Sequence, residues 1–286
     1  MEDADKMYIR QSFIDHCRNG NLVDVRNILL EIYHNPINDK TLLPDCETNS
    51  SLGSLRSPIH IKDRFSMYYD RALLWACSNN HLDLVKYLLT NQDFPAPANV
   101  NYNDSICLTV ACRKGHLEII HYLLTSPDVL EKPNMYADNY AAFLAACKNG
   151  RIEIIEYLTN SEELKDKIDI EKLKTEGFKA VCDIGNITMI DYFVHHPDSA
   201  YRVKVNTKND IGFKLAYKLK DVDVMQFLIF DCGLKRSKYV NRQIHLKKKK
   251  NEKFNEEVIK IFDVQNLYEK TQKLVQDRPE KKKLKI

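Results

Sequence analysis

The chain has few of the residues that build tight turns and no apolar run long enough to cross a membrane. Of its 286 residues only 8 are glycine and 9 are proline, which argues against a turn-rich all-β protein and favours helices. No apolar run approaches the roughly 20 residues that span a bilayer, and the first residues form no apolar signal region. These absences predict a helical chain without a transmembrane segment or a secretory signal.

Cysteine is present, but its placement argues against a disulfide framework. Five of the eight cysteines occupy one repeated position at the end of an apolar run, and equivalent positions in stacked helices lie roughly 10 Å apart. A disulfide needs Cα atoms within about 7 Å of each other. The sequence therefore predicts free core thiols and a reducing, cytoplasmic location. These five are Cys17, Cys77, Cys112, Cys147 and Cys182.

Positive charge is scarce in the body of the chain and concentrated in its tail. From Asn241 onward there are 14 Lys or Arg against 7 Asp or Glu, whereas the preceding 240 residues hold 29 against 33. The body is therefore mildly acidic. The runs Lys247–Lys250 and Lys281–Lys283 leave four interpretations open: nuclear import, contact with nucleic acid, attachment to an anionic surface, or a plain solvated tail.

The cysteines mark an internal repeat. Cys77, Cys112, Cys147 and Cys182 are 35 residues apart, and Tyr217 takes the same place one step later. A fixed period of 20 to 50 residues is the signature of a stacked repeat array. In each copy a short first helix ends at the cysteine, a polar step follows, and a second helix carries an apolar stripe. The predicted helix pairs span 71–94, 106–126, 141–160, 176–195 and 211–231.

The most regular copy, Ala111–Leu124, resembles the ankyrin repeat, and its step Gly115-His116 matches the Gly-His of that family. The resemblance covers roughly residues 8–232. It implies an all-α, ankyrin-type helix-turn-helix solenoid of about six repeats, to which the sequence adds a C-terminal helix. The family's Thr-Pro-Leu-His helix start is absent from every copy. Because the His of that motif ties neighbouring repeats by hydrogen bonds in the family, the bonding between repeats is left open here.

The predicted domain organisation has four segments. Residues 1–34 form a degenerate first ankyrin-like repeat, and residues 35–70 form a long loop insert that contains prolines and a Ser/Asn cluster. Residues 71–232 form five stacked repeats. Residues 233–286 form a basic connector and an amphipathic C-terminal helix over 251–276, which we expect to cap the last repeat.

Two positions of the repeat have a predicted structural purpose. The glycines at 115, 150 and 185, and Asn80 in their place, are expected to reverse the chain with positive φ. An aromatic residue recurs on each second helix, either for packing between neighbouring second helices or as a binding stripe. These aromatics are Tyr87, Tyr122, Tyr157, Tyr192 and Phe227.

The resemblance implies a protein-binding scaffold that is not an enzyme and needs no metal or cofactor. The two residues after each cysteine are expected to be exposed and in register, so that basic side chains there would face a partner with an acidic patch. A solvated charged face is the alternative. Trp75, the only tryptophan, either fills the core against the insert or anchors a partner. The candidate protein-binding residues are Arg18, Trp75, Arg113, Lys114, Lys148 and Lys218.

Catalysis and binding of nucleic acid or an anionic surface are the alternative functions. An enzyme could build its site from the insert and the tail, but Cys17 beside His16 occupies the buried repeat position and makes a poor nucleophile. His195 and His196 end a helix and lack zinc-site spacing. The basic tail could bind nucleic acid or an anionic surface. Divergent Cys-containing repeats are similar to ankyrin proteins of intracellular bacteria, large DNA viruses and protists, which suggests an effector inside a eukaryotic host cell.

Overall fold

The fold of the chain is a series of helix pairs. In a computed structural model, the described residues are 3–34, 61–162, 164, 169–198, 200–205, 211–237, 240–242, 244 and 252–276. These residues form helices and turns, without a β-strand among them. The insert up to residue 60, with Cys46, and both lysine runs lie outside the described residues. The chain divides into two compact units, Met1–Lys167 (unit 1) and Ile168–Ile286 (unit 2).

Unit 1 contains four helix pairs and unit 2 contains two pairs and a long final helix, counted over the residues just given. The helices of unit 1 are α1 (Asp3–Asn19), α2 (Leu22–His34), α3 (Ile61–Ser78), α4 (Leu82–Thr90), α5 (Tyr102–Lys114), α6 (Leu117–Thr125), α7 (Ala137–Lys148) and α8 (Ile152–Asn160). Those of unit 2 are α9 (Ile170–Ile184), α10 (Ile187–His195), α11 (Ile211–Leu219), α12 (Val222–Phe230) and α13 (Glu252–Gln276).

The first helices are packed through their small residues. Ala76, Cys77, Ala111 and Cys112 are completely buried, and α3 packs on α5, which packs in turn on α7. A small side chain at these positions lets two helices approach closely, and stacking joins apolar faces that one pair could not bury alone. The predicted core thiols are confirmed: all seven described cysteines are free, and six are buried.

Each first helix ends in a left-handed turn. The φ angles of Gly115, Gly150 and Gly185 lie between 65° and 87°, and φ of Asn80 is 64°, as predicted. The residue after Gly115 returns its N–H to the carbonyl of Ala111 at 3.0 Å, which satisfies a helix-end acceptor. The chain therefore reverses within two residues and starts the second helix.

Side chains at the start of the second helices join consecutive repeats of unit 1. Each donor follows the left-handed turn of its own repeat and reaches a backbone carbonyl at the end of the preceding first helix. This series connects consecutive repeats although the Thr-Pro-Leu-His motif is absent from every copy. The pairs are His81 Nε2 with Arg18 O at 2.5 Å, His116 Nε2 with Ser78 O at 3.1 Å, and Arg151 Nε with Arg113 O at 3.1 Å.

A second series of bonds fixes the loops that connect the pairs. The N–H of Asn99 donates to Asp70 Oδ1 at 2.6 Å, and the N–H of Asn134 donates to Ser105 Oγ at 3.0 Å. Asp70 and Ser105 occupy the same position of the repeat, 35 residues apart. Burial raises the pKa of the Asp70 carboxyl, because the charged form is poorly solvated there. The connecting loops are thus anchored to the first helix of their own repeat.

Two of the first helices, α3 and α9, begin earlier than the sequence pattern predicts. Helix α3 starts at Ile61, inside the segment 35–70 predicted as a loop, and α9 starts at Ile170 instead of 176. No proline or glycine follows Pro58 before the start of the repeat pattern, so nothing in the sequence interrupts a helix there. Asp169 caps α9 by accepting a hydrogen bond from the N–H of Lys172 at 3.1 Å.

The final helix α13 covers the apolar side of α12 in unit 2. Phe262 is completely buried with its ring centroid 6.1 Å from that of Phe213, and the amide of Gln265 donates to Ile229 O at 2.7 Å. The hydroxyl of Tyr217 donates to Asn255 Oδ1 at 2.5 Å. These contacts confirm the expected capping helix, because α13 closes the last helix pair with both apolar and polar groups.

Candidate functional site: charged helix ends and a cavity

The residues after the buried cysteines of unit 1 form a set of exposed cations. Arg18, Arg113, Lys114 and Lys148 all lie in the last turn of a first helix and are exposed. The geometry follows from the helix period, since a residue one or two places after a buried position points away from the packed face. We call these four residues the basic series. Lys218 holds the same repeat position on α11 in unit 2 and is also exposed.

The basic series has no anionic partner within the described part of the chain. Other cations of the protein do have one: Arg26 Nε lies 2.8 Å from Asp93 Oδ2, and Lys179 Nζ lies 2.6 Å from Glu176 Oε1. An ion pair with a side chain of the same molecule would reduce the attraction of a cation for an external anion. The basic series therefore presents its full charge to solvent.

The second helices carry the opposite charge. Asp83, Glu118, Glu153 and Glu156 are exposed on the second helices of unit 1, and Asp191 and Asp223 are exposed on those of unit 2. Within a repeat, acidic groups near the start of the second helix and basic groups at the end of the first helix also complement the two helix dipoles. In unit 1, basic groups thus lie at the first-helix ends and acidic groups lie on the second helices.

Trp75 is half-buried and packs on the first repeat. Its ring lies edge-on to Phe13, with 6.1 Å between centroids, and Phe13 contacts Tyr68 in the same manner at 5.9 Å. The aromatic group between α1 and α3 accounts for a large residue at this position. The rest of the Trp75 ring is exposed to solvent.

Two of the recurring tyrosines, Tyr122 and Tyr157, contact the neighbouring second helix, which favours packing over a binding stripe at these two positions. Lys86 Nζ of α4 lies 5.9 Å from the ring centroid of Tyr122 on α6. His121 of α6 and Tyr157 of α8 have ring centroids 5.9 Å apart. This position of the repeat is occupied by packing contacts in unit 1.

Tyr87 connects the second repeat to the first. Its hydroxyl donates to Asp93 Oδ2 at 2.8 Å, and the same carboxylate receives the guanidinium of Arg26 on α2. Hydrogen bonds from Arg26 and Tyr87 lower the pKa of Asp93, since both stabilise its charged form. Arg26 therefore serves the fold and is not available to a partner.

The residues considered for catalysis or metal binding are engaged in the fold. Cys17 is completely buried and desolvation raises its pKa, so its reactive thiolate form is disfavoured. His195 Nδ1 lies 2.7 Å from Asp191 Oδ1, and the N–H of Asp198 donates to Nδ1 of His196. These contacts give each of the three side chains a structural explanation.

Unit 2 contains a cavity of about 490 Å³ that the sequence pattern did not predict. Its walls come from α9, the loop at 200–205, the start of α11 and the residues around α12. The floor is apolar and the rim carries three basic side chains. Periodicity could not reveal it, because its residues are spread over four parts of the chain and the loop belongs to no repeated pattern.

The repeated helix pairs, left-handed turns and bonds between repeats define a stacked helical repeat protein. The sequence model of the family described as ankyrin repeats (3 copies) matches residues 16–133 and 73–172, which together span more than half of the chain. The chain belongs to the ankyrin-repeat family. Its fold is the all-α ankyrin type, and ankyrin repeats generally mediate binding between proteins.

Comparison of the chain with curated proteins returned no match, and comparison with solved structures returned none. Over the ranges that the structure describes, no helix combines the length and apolar character required to span a membrane.

Proposed function

We propose that the protein binds an acidic patch on a partner protein through the first-helix ends of unit 1. The observation that supports this proposal is the basic series, whose four exposed cations occupy equivalent positions of the first, third and fourth repeats and have no anionic partner in the described residues; the second repeat has Ser78 and Asn79 there. Packed helices place equivalent positions of adjacent repeats, such as Arg113 and Lys148, roughly 10 Å apart. A spacing of that order suits a row of acidic side chains on a second protein.

Stabilisation of helix ends is the competing explanation for these cations. A positive charge in the last turn of a helix contributes about 0.3–1 kcal/mol through the helix dipole at an exposed position. If that were their whole purpose, charge reversal would lower stability and leave binding unchanged. Recognition of an acidic partner makes the opposite prediction, since complementary charges increase association rates and specificity.

The test is a triple charge reversal, Arg113→Glu with Lys114→Glu and Lys148→Glu. Proteins captured by the wild-type chain from a eukaryotic cell lysate are identified by mass spectrometry, and the Kd of each purified candidate is measured for wild type and variant. We expect the variant to bind at least about tenfold more weakly. The wild-type affinity is expected to fall as salt is raised.

A matched control places the same charge change on another surface. Lys253, Lys260 and Lys270 are exposed on α13, and their reversal to Glu changes the net charge equally. The control should keep wild-type affinity, and thermal melts of both variants should stay within a few degrees of wild type. Equal weakening by both variants would show a general charge effect and refute a specific basic surface.

The contributions of Trp75 and Lys218 are tested with the same partner. Trp75→Ala removes the half-buried ring, and Lys218→Glu reverses the equivalent charge in unit 2. A loss of affinity in either variant, with an unchanged thermal melt, would extend the binding surface to that residue. Unchanged affinity would restrict the surface to the basic series.

The cellular location is a separate proposal. It is supported only by the similarity of the Cys-containing repeats to ankyrin proteins of intracellular bacteria, large DNA viruses and protists. We propose that the chain acts as an effector in the cytoplasm of a eukaryotic host cell. A fluorescent fusion should distribute through the cytoplasm of such cells. Accumulation in the nucleus that disappears when Lys247–Lys250 and Lys281–Lys283 are changed to Gln would contradict the cytoplasmic location and assign the lysine runs to nuclear import.

A further inference from the structure

We propose that the cavity of unit 2 binds a short acidic peptide segment, with an apolar side chain on its floor and the neighbouring carboxylate at its basic rim. The cavity volume of about 490 Å³ is in the range of pockets that hold small ligands. This site shares no residue with the basic series of unit 1. The proposal therefore stands or fails independently of the proposed function.

The floor of the cavity suits an apolar group. Phe178, Phe213, Leu228 and Leu234 line it, and each of the four is at most 4% exposed. Gly212 keeps the floor compact, because a Cβ there would lie 3.2 Å from Phe178 and 3.3 Å from Leu228. An apolar side chain placed on these groups would be removed from water, which favours binding.

The rim has an excess of positive charge. Lys174 Nζ lies 2.5 Å from Glu171 Oε1 and donates to Ala200 O, so these two charged groups compensate each other. Arg202 donates from Nε to His196 O and from Nη2 to Pro197 O. Both acceptors are neutral carbonyls, which orient the guanidinium and leave its charge uncompensated.

Lys204 supplies the second uncompensated charge of the rim. Its side chain is exposed, and it has no anionic partner in the described part of unit 2. An oriented guanidinium and an exposed ammonium on the same rim are suited to a carboxylate, which can accept hydrogen bonds from both. A purely apolar ligand would leave the positive charges of Arg202 and Lys204 without an anionic partner. A purely anionic ligand would leave the apolar floor exposed to water.

The test uses the full chain and an N-acetylated, C-amidated hexapeptide with one Leu beside one Asp in a Gly/Ser context. Two matched peptides replace either the Asp by Asn or the Leu by Ser, and binding is measured by isothermal titration calorimetry. We expect the parent peptide to bind and each replacement to weaken it about fivefold or more. Absence of parent binding, or equal binding of the Asn peptide, would overturn the proposal.

Three protein variants locate the binding in the cavity. Lys204→Glu reverses the rim charge and should weaken the parent peptide about fivefold or more, whereas Lys214→Glu, an exposed position on α11 that does not line the cavity, should change affinity less than about twofold. Thr175→Phe fills the cavity from α9 and should abolish binding. Because this larger side chain can disturb packing, its effect counts only when the thermal melt is unchanged. Equal effects of the two lysine variants would place the peptide elsewhere.

Octanoate tests the other source of an apolar acid. It offers a carboxylate and an aliphatic chain without a peptide backbone. If octanoate binds and the parent peptide does not, the peptide proposal is wrong. If the peptide binds more tightly and octanoate competes only weakly, the peptide assignment is supported.

Discussion

Gly20 and Gly233 have nearly the same backbone conformation and different surroundings. Their φ angles are 71° and 66°, in the left-handed region that L-residues with a side chain rarely adopt. A Cβ on Gly20 would lie 2.4 Å from His81 Nδ1, whereas a Cβ on Gly233 would meet no atom within 4 Å. The glycine at the repeat turn thus satisfies a dihedral requirement and also leaves room for the imidazole of the next repeat.

Substitution of the two glycines separates these requirements. Gly233→Ala should lower the free energy of unfolding by about 1 kcal/mol through the positive φ alone. Gly20→Ala should lower it by about 1 kcal/mol more, because His81 must move and its hydrogen bond to Arg18 O is lost. Urea unfolding followed by circular dichroism measures both. Equal losses in the two variants would refute a packing requirement at Gly20.

For individual residues, the sequence predicted backbone conformation and burial better than it predicted hydrogen-bond partners. Glycine or asparagine at the turn indicated a positive φ, and the position of each cysteine indicated burial. The bonds of His81, His116, Asp70 and Ser105 were not predicted, because they join residues about 29 to 63 positions apart and depend on how the repeats stack.

Helix α13 divides into a part that packs on the last repeat and a part that faces solvent. Phe262 is completely buried, whereas Leu267, little more than one turn later, is 66% exposed. Both residues belong to the same amphipathic stretch in the sequence. Five residues at about 100° each place Leu267 about 140° around the helix from Phe262, so the two residues mark the packed side and the solvent-facing side of α13.

Truncation of these two side chains measures the strength of the cap. Phe262→Ala should reduce the stability of unit 2 by about 3–5 kcal/mol, because it leaves a cavity against Phe213. Leu267→Ala should change it by less than about 0.5 kcal/mol. Chemical unfolding curves give both values. A loss at Phe262 no larger than at Leu267 would mean that α13 contributes little to unit 2.

The helices themselves were predictable as elements, but the starting points of α3 and α9 were not. The apolar stripe and the following turn placed the end of each first helix at the cysteine. The start of α3 at Ile61 and of α9 at Ile170 lies outside the repeated pattern, where composition is the only guide. The basic series could be chosen from the sequence because exposure follows the helix period. The cavity of unit 2 could not be, because its shape depends on a loop without a pattern.

Across the whole molecule, the reactivity of each cysteine thiol depends on how completely its repeat buries it. Cys112 and Cys147 in unit 1 are completely buried, and desolvation raises the pKa of both thiols. Cys232 in unit 2 is half-buried, and its pKa is raised to about 12. Because only the thiolate reacts readily, an intact array should protect Cys112 and Cys147 most strongly.

A short pulse of iodoacetamide followed by mass spectrometry tests this protection. In native protein we expect Cys232 to be modified faster than Cys112 and Cys147. In increasing urea, modification of Cys112 and Cys147 should follow the loss of helical circular dichroism. Rapid modification of both residues in the native protein, with the circular dichroism unchanged, would show that unit 1 opens locally without unfolding.

The hydrogen bonds between consecutive repeats of unit 1 all have the same polarity along the chain. In each case the earlier repeat supplies the carbonyl and the later repeat supplies the side chain that covers it. A chain that emerges from the ribosome presents Arg18 O and the turn at Gly20 long before His81 has been synthesised. The first-helix end of the first repeat therefore obtains this hydrogen bond only when the second repeat is present, and that of the second repeat only when the third is present. The last repeat to be synthesised therefore lacks this hydrogen bond until the following repeat is present.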